Sequence, residues 1–290
     1  MVTPGTVEAV VAGDHACLTF SDPEERLDMV AAFVHAGLGT GQKVLCLTEA
    51  IAPPQLSQEL ANRLVPVREP LRTGQLQIHG SDQSWLASGT PTATGMIDML
   101  SAQLELATGE GYPGLRVSAD MVWATGPLAA IEQLLVFESD VTTLFGDGRL
   151  TVICQYDRDR FDPVTLMAAA QAHHHTVAAA VYHDDALLRV CRQYRPPGLR
   201  LAGEIDATHA EVLVAALAEA LRLDHDLYVN LAALRFIDAS SASAIVRAAL
   251  SLPADRTMTV MCRGVVLDMI KLCGAGEAQQ LRVRERHGES

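Results

Sequence analysis

Two serines that begin two residues after an aspartate, in Phe236-Ile-Asp238-Ala-Ser240-Ser241, are the residues of this 290-residue chain best spaced to do chemistry. They lie in the stretch Leu227 to Arg247, which reads as three pieces. Tyr228 to Leu231 is short and apolar, as a buried strand is. Arg235 to Ser241 is a turn of small and hydroxyl residues, and Ala242 to Leu250 has apolar residues at helical spacing. The first N–H groups of a helix have no partner inside it. Ser240 or Ser241 is expected to cap them, and the same place accepts a phosphate. A serine that merely caps a helix is the plainer reading, so the rest of the chain has to decide.

Other residues compete for attention. His15 and Cys17 are two apart on an expected strand and face one side of it. They fit a ligand site, half of a metal site, or a buried polar pair of the core. Asp120 and Trp123 fall just past a strand, as ligand-binding residues or as a helix cap and a packing tryptophan. Glu138 sits in an otherwise apolar helix and needs a partner if buried. His173, His174 and His175 are expected on one helix, where successive residues point about 100° apart and cannot clamp one ion. They are read as mostly exposed, with His174 or His175 the candidate for a pocket. No metal ion and no cofactor is assigned.

The elements that must position these residues alternate. Strands are expected at His15 to Phe20, Lys43 to Thr48, Leu76 to His79, Leu115 to Val117 and Leu150 to Tyr156. Helices fall between them, the first capped at Ser21-Asp22-Pro23 and the last running from Asp162-Pro163 to near Tyr182. Such alternation implies an α/β fold with a parallel sheet covered on both faces. Ligands in such sheets sit at the carboxyl ends of the strands, so His15, Cys17, Asp120 and Trp123 are expected around one pocket there. Gly37-Leu-Gly39-Thr-Gly41-Gln-Lys43 is not a phosphate loop, because Gln42 and Val44 break the pattern and the segment precedes a strand. The position after Phe20 holds the acidic run Ser21 to Glu25, which argues against nucleotide hydrolysis.

Beyond His183-Asp184-Asp185 the pattern changes. Leu187 to Gln193 and Leu199 to Ala202 form a hairpin around Arg195-Pro-Pro-Gly198. Thr208 starts a helix with one apolar stripe, Thr257 to Cys262 is a strand, and Val265 to Leu272 is a helix stopped by Gly274. Gln280 to Val283 adds a last strand before a polar tail, Arg284 to Ser290.

Composition narrows the class. The chain is 49% hydrophobic and 20% charged, enough to bury two cores. Its net charge is −13 and it has two lysines, Lys43 and Lys271, which excludes a basic nucleic-acid surface. The six cysteines form no C-x-x-C pair and lie mostly in apolar runs, as reduced core residues do. The opening residues show no leader pattern and no run of roughly 18 apolar residues occurs, so no membrane span is expected and the address read is the cytoplasm.

The first half, in GDHACLTFSDPEERLDMVAAFVHAGLGTGQKVLCLTE, GYPGLRVSADMVWATG, LLVFESDVTTLF, TVICQYD and the histidines near 174, resembles the MEDS sensory domain, a relative of RecA-like clock ATPases with a decayed phosphate loop. The resemblance implies a RecA-like three-layer, ligand-sensing domain over residues 10–183, with a small molecule as ligand. The second half resembles the STAS domain of anti-sigma factor antagonists over 186–284, through Gly203-Glu-Ile-Asp206, Tyr228-Val-Asn-Leu231, Phe236 to Ser241 and Val266 to Gly274. That resemblance implies a smaller α/β domain that binds a kinase-type anti-sigma factor through Asp206, Asp238 and Ser240, with the phosphorylated position at Ser240. Three positions depart from it. Asn230 replaces an aspartate, Ala239 a serine and Ser241 a glycine, which leaves open whether Ser240 or Ser241 is modified. The expected role is regulation, not catalysis, with transcription controlled through partner switching and no direct contact with nucleic acid. A homodimer is compatible with this. A diverged nucleotide hydrolase using Asp120 or Glu138, and a scaffold of a stress-signalling assembly without phosphorylation, are the alternatives.

Overall fold

Parallel strands need long crossovers, and the first half supplies a helix for almost every one. The computed structural model describes residues 5–87, 89–126 and 128–285, and it divides into two units, 1–179 and 180–290. In the first unit the strands are β1 (His15–Phe20), β2 (Lys43–Thr48), β3 (Leu76–Gly80), β4 (Leu115–Asp120), β5 (Leu150–Asp157) and β6 (His175–Val177). They form one parallel sheet in the order β3-β2-β4-β5-β1-β6.

Helices α1 (Pro23–Gly39), α2 (Pro53–Asn62) and α3 (Arg68–Thr73) follow β1 and β2, while α4 (Ala93–Gly109), α5 (Leu128–Asp140) and α6 (Pro163–Ala172) follow β3, β4 and β5. Leu100, Leu104, Leu134, Phe137 and Ala169 of the second group pack on Cys17, Val117, Val152, Cys154 and Tyr156, which share one face of the sheet. On the other face Gly37 of α1 lies so close to Arg116 that an added Cβ would sit 2.5 Å from its Cδ. The result is a three-layer α/β unit.

The expected helix to Tyr182 ends ten residues early. His173 is its C-cap, in extended conformation, and its ring Nδ1 lies 2.6 Å from the Ala169 carbonyl. The chain then pairs with β1 as β6, with Ala16 opposite His175. An alanine-rich run has helix propensity, but the free edge of β1 offers a ladder, and tertiary pairing wins over propensity.

The second unit contains β7 (Val181–Asp184), β8 (Leu188–Gln193), β9 (Gly198–Ile205), β10 (Leu227–Ile237), β11 (Met258–Cys262) and β12 (Leu281–Glu285), in the order β12-β11-β10-β9-β8-β7. β7, β8 and β9 pair antiparallel and the remaining neighbours parallel. The unit starts before the expected 186 because β7 belongs to this sheet. Helices α7 (Ala210–Leu223), α8 (Ala239–Leu250) and α9 (Gly264–Leu272) supply Leu213, Leu217, Ile245, Val246, Val266 and Ile270 to one core against Val190, Leu201, Val229 and Val260. Strand β10 runs well past the expected Leu231. Register shifts at Asn230/Ala233 and Leu234/Phe236 let it follow β9 to Ile237, so the expected turn is strand up to Asp238. The end of the polar tail, 286–290, lies outside the described residues.

Candidate functional site

His15 opens β1, and Cys154 and Tyr156 lie on the same face of the adjacent β5. Alternation along the pleat aims all three at α5 and α6. Glu138, in the last turn of α5, and His173, at the end of α6, reach down to meet them. The Glu138 Oε2 lies 3.2 Å from His15 Nε2 and 3.4 Å from His173 Nε2. Cys154 Sγ is 3.6 Å from His15 Nε2, and the Tyr156 hydroxyl donates to Glu138 Oε1. His15 stacks on Phe145 at 4.8 Å and lies against the His173 ring at 3.9 Å. None of His15, Glu138, Cys154 or His173 is more than 7% exposed. Burial pushes the His173 ring down to about 4 and the Cys154 thiol well above its ordinary range. Among the described residues these four offer one ligand atom each, all within 4.8 Å of one another. That is a donor set able to hold a cation.

The expected single pocket does not form. Cys17 shares the face of His15 and sits opposite Cys154 in the register. Asp120 belongs to the other face, because it pairs with Gln155, one residue on from Cys154. There its Oδ2 accepts from Arg26 at 2.7 Å and from the N–H groups of Glu49 and Ala50, and its Oδ1 from Val122 N–H. Arg26 Nε also donates to Gln155. Arg26 thus fills the carboxyl ends of the strands. Asp22 caps α1 through the N–H groups of Glu24 and Glu25. Trp123 packs on Trp85 with ring centres 6.4 Å apart. A cleft of about 320 Å³ is lined by Ser101, Glu105, Thr108, Thr143, Asp147 and Arg149, and by none of the five expected ligand residues.

In the second unit the expected residues do come together. Asp238 donates its N–H to the Ile205 carbonyl, which brings the end of β10 beside Asp206. The cap of α8 is Asp238 itself, whose Oδ1 accepts from Ser241 N–H at 2.8 Å. This corrects the expectation of a serine cap, since a carboxylate satisfies the same donors and suits the positive helix end. Ser240 is exposed and its hydroxyl donates to Asp238 Oδ2 at 2.8 Å. Ser241 is 1% exposed and its hydroxyl turns inward, 3.5 Å from the Asp206 carbonyl, so it is no accessible phosphate acceptor. Burial pushes Asp238 up, but N–H and hydroxyl donors from Ser241, Ser240 and Ala207 outweigh it and hold the carboxyl below its ordinary range. Thr208 holds Asp206 low in the same way, through its hydroxyl and N–H. Phe236 and Leu272 are exposed, and Cys273 Sγ, next to Leu272 in sequence, lies 3.6 Å from the Ala239 carbonyl at the start of α8.

Sequence reasoning missed Arg26, Cys154, Tyr156 and His173. The alternation Val152-Ile-Cys154-Gln-Tyr156 shows that Cys154 and Tyr156 share a face, but strand order and register were needed to place that face beside His15.

The model of the methanogen/methylotroph, DcmR sensory domain (MEDS) matches residues 14–174, and the STAS domain model matches 192–285. No curated protein matches the chain. Among solved structures, the flagellar accessory protein FlaH from Methanocaldococcus jannaschii is similar at 8% identity, covering 63% of this chain and 78% of its own, with a TM-score of 0.42. The KaiC-like protein PH0186 from Pyrococcus horikoshii OT3 is similar at 14% identity, covering 63% and 80%, with a TM-score of 0.44.

Proposed function

The chain belongs to the MEDS sensory-domain family and carries a STAS domain behind it, and on that premise we propose a regulatory protein whose first unit senses a ligand and whose second unit signals to a kinase-type anti-sigma factor. One observation carries the second half of this reading: an exposed hydroxyl, Ser240, lies at the start of α8 and is held by Asp238. A phosphate there adds roughly −1.5 to −2 charge at neutral pH. It also sets a dianion against the Asp238 carboxylate, so the present Ser240–Asp238 bond must break. A partner surface that buries the neutral hydroxyl cannot bury that charge without a large desolvation cost. Phosphorylation then releases the partner, and transcription responds indirectly. The protein acts in the cytoplasm on this reading, and its role is binding, not turnover. Both oxygens of Asp120 are committed to Arg26 and backbone N–H groups, which leaves little for a nucleotide hydrolase to use.

The test is binding to the kinase-type anti-sigma factors of the source organism, followed by mass spectrometry after incubation with ATP. Phosphate on Ser240, with weakened binding by Ser240→Asp and retained binding by Ser240→Ala, supports the reading. Unmodified Ser240 together with full binding by Ser240→Asp sinks the switch.

A further inference from the structure

The sensory reading leaves the ligand of the first unit unnamed, and the buried group around Glu138 gives it a chemistry. Resting on that reading, we propose that His15, Glu138, Cys154 and His173 bind one divalent transition-metal ion, with Zn²⁺ the best match, and that this ion is what the unit senses.

Three observations converge. The first is spacing. Tetrahedral zinc with bonds of about 2.0–2.1 Å to nitrogen and oxygen and about 2.3 Å to sulfur puts its ligand atoms roughly 3.3–3.6 Å apart. Three of the separations lie near this range, 3.2 Å and 3.4 Å from Glu138 Oε2 to the two histidine Nε2 atoms and 3.6 Å from Cys154 Sγ to His15 Nε2, and all four atoms lie within 4.8 Å of one another.

The second is what each atom lacks. A carbonyl can only accept, so the His173 Nδ1 beside Ala169 carries the hydrogen and donates it at 2.6 Å. Its Nε2 therefore presents a lone pair toward the lone pairs of Glu138 Oε2. Both atoms are buried; His173 Nε2 has no hydrogen-bond partner, and the polar neighbour of Glu138 Oε2 besides it is the His15 ring Nε2 at 3.2 Å. Two acceptors facing each other in a dry interior need something positive between them.

The third is support and balance. The Tyr156 hydroxyl on Glu138 Oε1 and the Ala169 carbonyl on His173 orient these two ligands from outside, as the surroundings of metal ligands do. One carboxylate and one thiolate neutralise a 2+ ion, so the occupied site carries no net charge into the core. The thiol gives its proton to solvent as the metal enters. Mixed nitrogen, sulfur and oxygen donors in four-fold array select zinc over calcium or magnesium. A proton shared between a histidine and Glu138 is the competing occupant.

The experiment uses the full chain, stripped with a chelator and titrated with Co²⁺, whose spectrum reports geometry and ligands. The expected result is one Co²⁺ per chain, tetrahedral visible bands, a thiolate charge-transfer band, and displacement by Zn²⁺. Cys154→Ser should lose the charge-transfer band, and Glu138→Gln should weaken binding about 10-fold or more. If Glu138→Gln does not fold, the Cys154→Ser spectrum still decides. A folded parent chain that binds no stoichiometric Co²⁺, or a Cys154→Ser variant that keeps the thiolate band, overturns the site. Affinity of the second unit's partner, measured on the same samples, separates the two claims. No metal binding, with partner affinity answering to another small molecule, removes the metal and keeps the sensor. Metal binding as expected, with partner affinity unmoved, keeps the site and removes its sensory role.

Discussion

Asp120→Ala should unfold the first unit at markedly lower denaturant without touching any catalytic step. Arg26 and Asp120 form an ion pair at 2.7 Å with side chains 7% and 2% exposed. Removing one member of a buried pair typically costs about 3–5 kcal/mol, because the other charge is left buried and uncompensated. The Glu49, Ala50 and Val122 N–H groups lose their acceptor as well, which favours the upper half of that range. In a unit of this size each kcal/mol lowers the melting point by roughly 2–4 °C, so the shift is on the order of 10 °C or more. The assay is urea unfolding followed by tryptophan fluorescence, since both tryptophans, Trp85 and Trp123, lie in the first unit. The double variant Arg26→Met, Asp120→Leu should recover the part of the loss due to the unpaired charge, with a coupling of about 2 kcal/mol, but not the part due to the three N–H groups, which still lack an acceptor. A loss below about 1 kcal/mol for Asp120→Ala, together with nucleotide turnover that the change abolishes, would refute the reasoning and restore the hydrolase.

In the second unit, Gly203 has φ +103° and an added Cβ would meet the Leu187 carbonyl oxygen at 2.0 Å, so Gly203→Ala should cost at least ~1–3 kcal/mol, read from hydrogen exchange in β8 and β9. Ser241→Asp should destabilise the same unit by driving a charge into a position 1% exposed, whereas Ser240→Asp should leave its melting point nearly unchanged. Asp185 is held well below its ordinary value by the N–H groups of Leu188 and Leu187 and by His183, and Asp206 is held low by Thr208. Both folded values lie below the unfolded one, near 3.9, so their stabilisation is full above that pH and lost as pH falls through it toward the folded values. Hydrogen-exchange protection of β8–β10 should therefore hold from neutral pH to about 5 and fall below about 4, less steeply in Asp185→Asn.

The alternation of strands and helices was legible because each strand from Val44 to Leu47 or Leu150 to Tyr156 is a near-continuous apolar run between polar turns. The contiguous motif Asp238 to Ser241 was legible too, since its members are neighbours in sequence. What stayed hidden depends on pairing between distant segments. Asp120 and His15 face opposite sides because of the β4–β5–β1 register. His173 leaves its helix because of the β1 edge, and that turns an apparently exposed histidine into a buried one. Asp238 takes the cap from the serines because β10 follows β9 to Ile237, which sets the aspartate one residue before α8.

The central claim is that the first unit's site governs what the second unit binds. The direct measurement is the affinity of the full chain for its kinase-type anti-sigma partner, chelator-stripped and Zn²⁺-loaded, by calorimetry. Coupling between two sites is typically 1–3 kcal/mol, or about 5- to 150-fold. The account expects a change of at least about 5-fold, absent from Glu138→Gln. Equal affinities for the stripped chain and for a chain shown to hold one Zn²⁺ would contradict it.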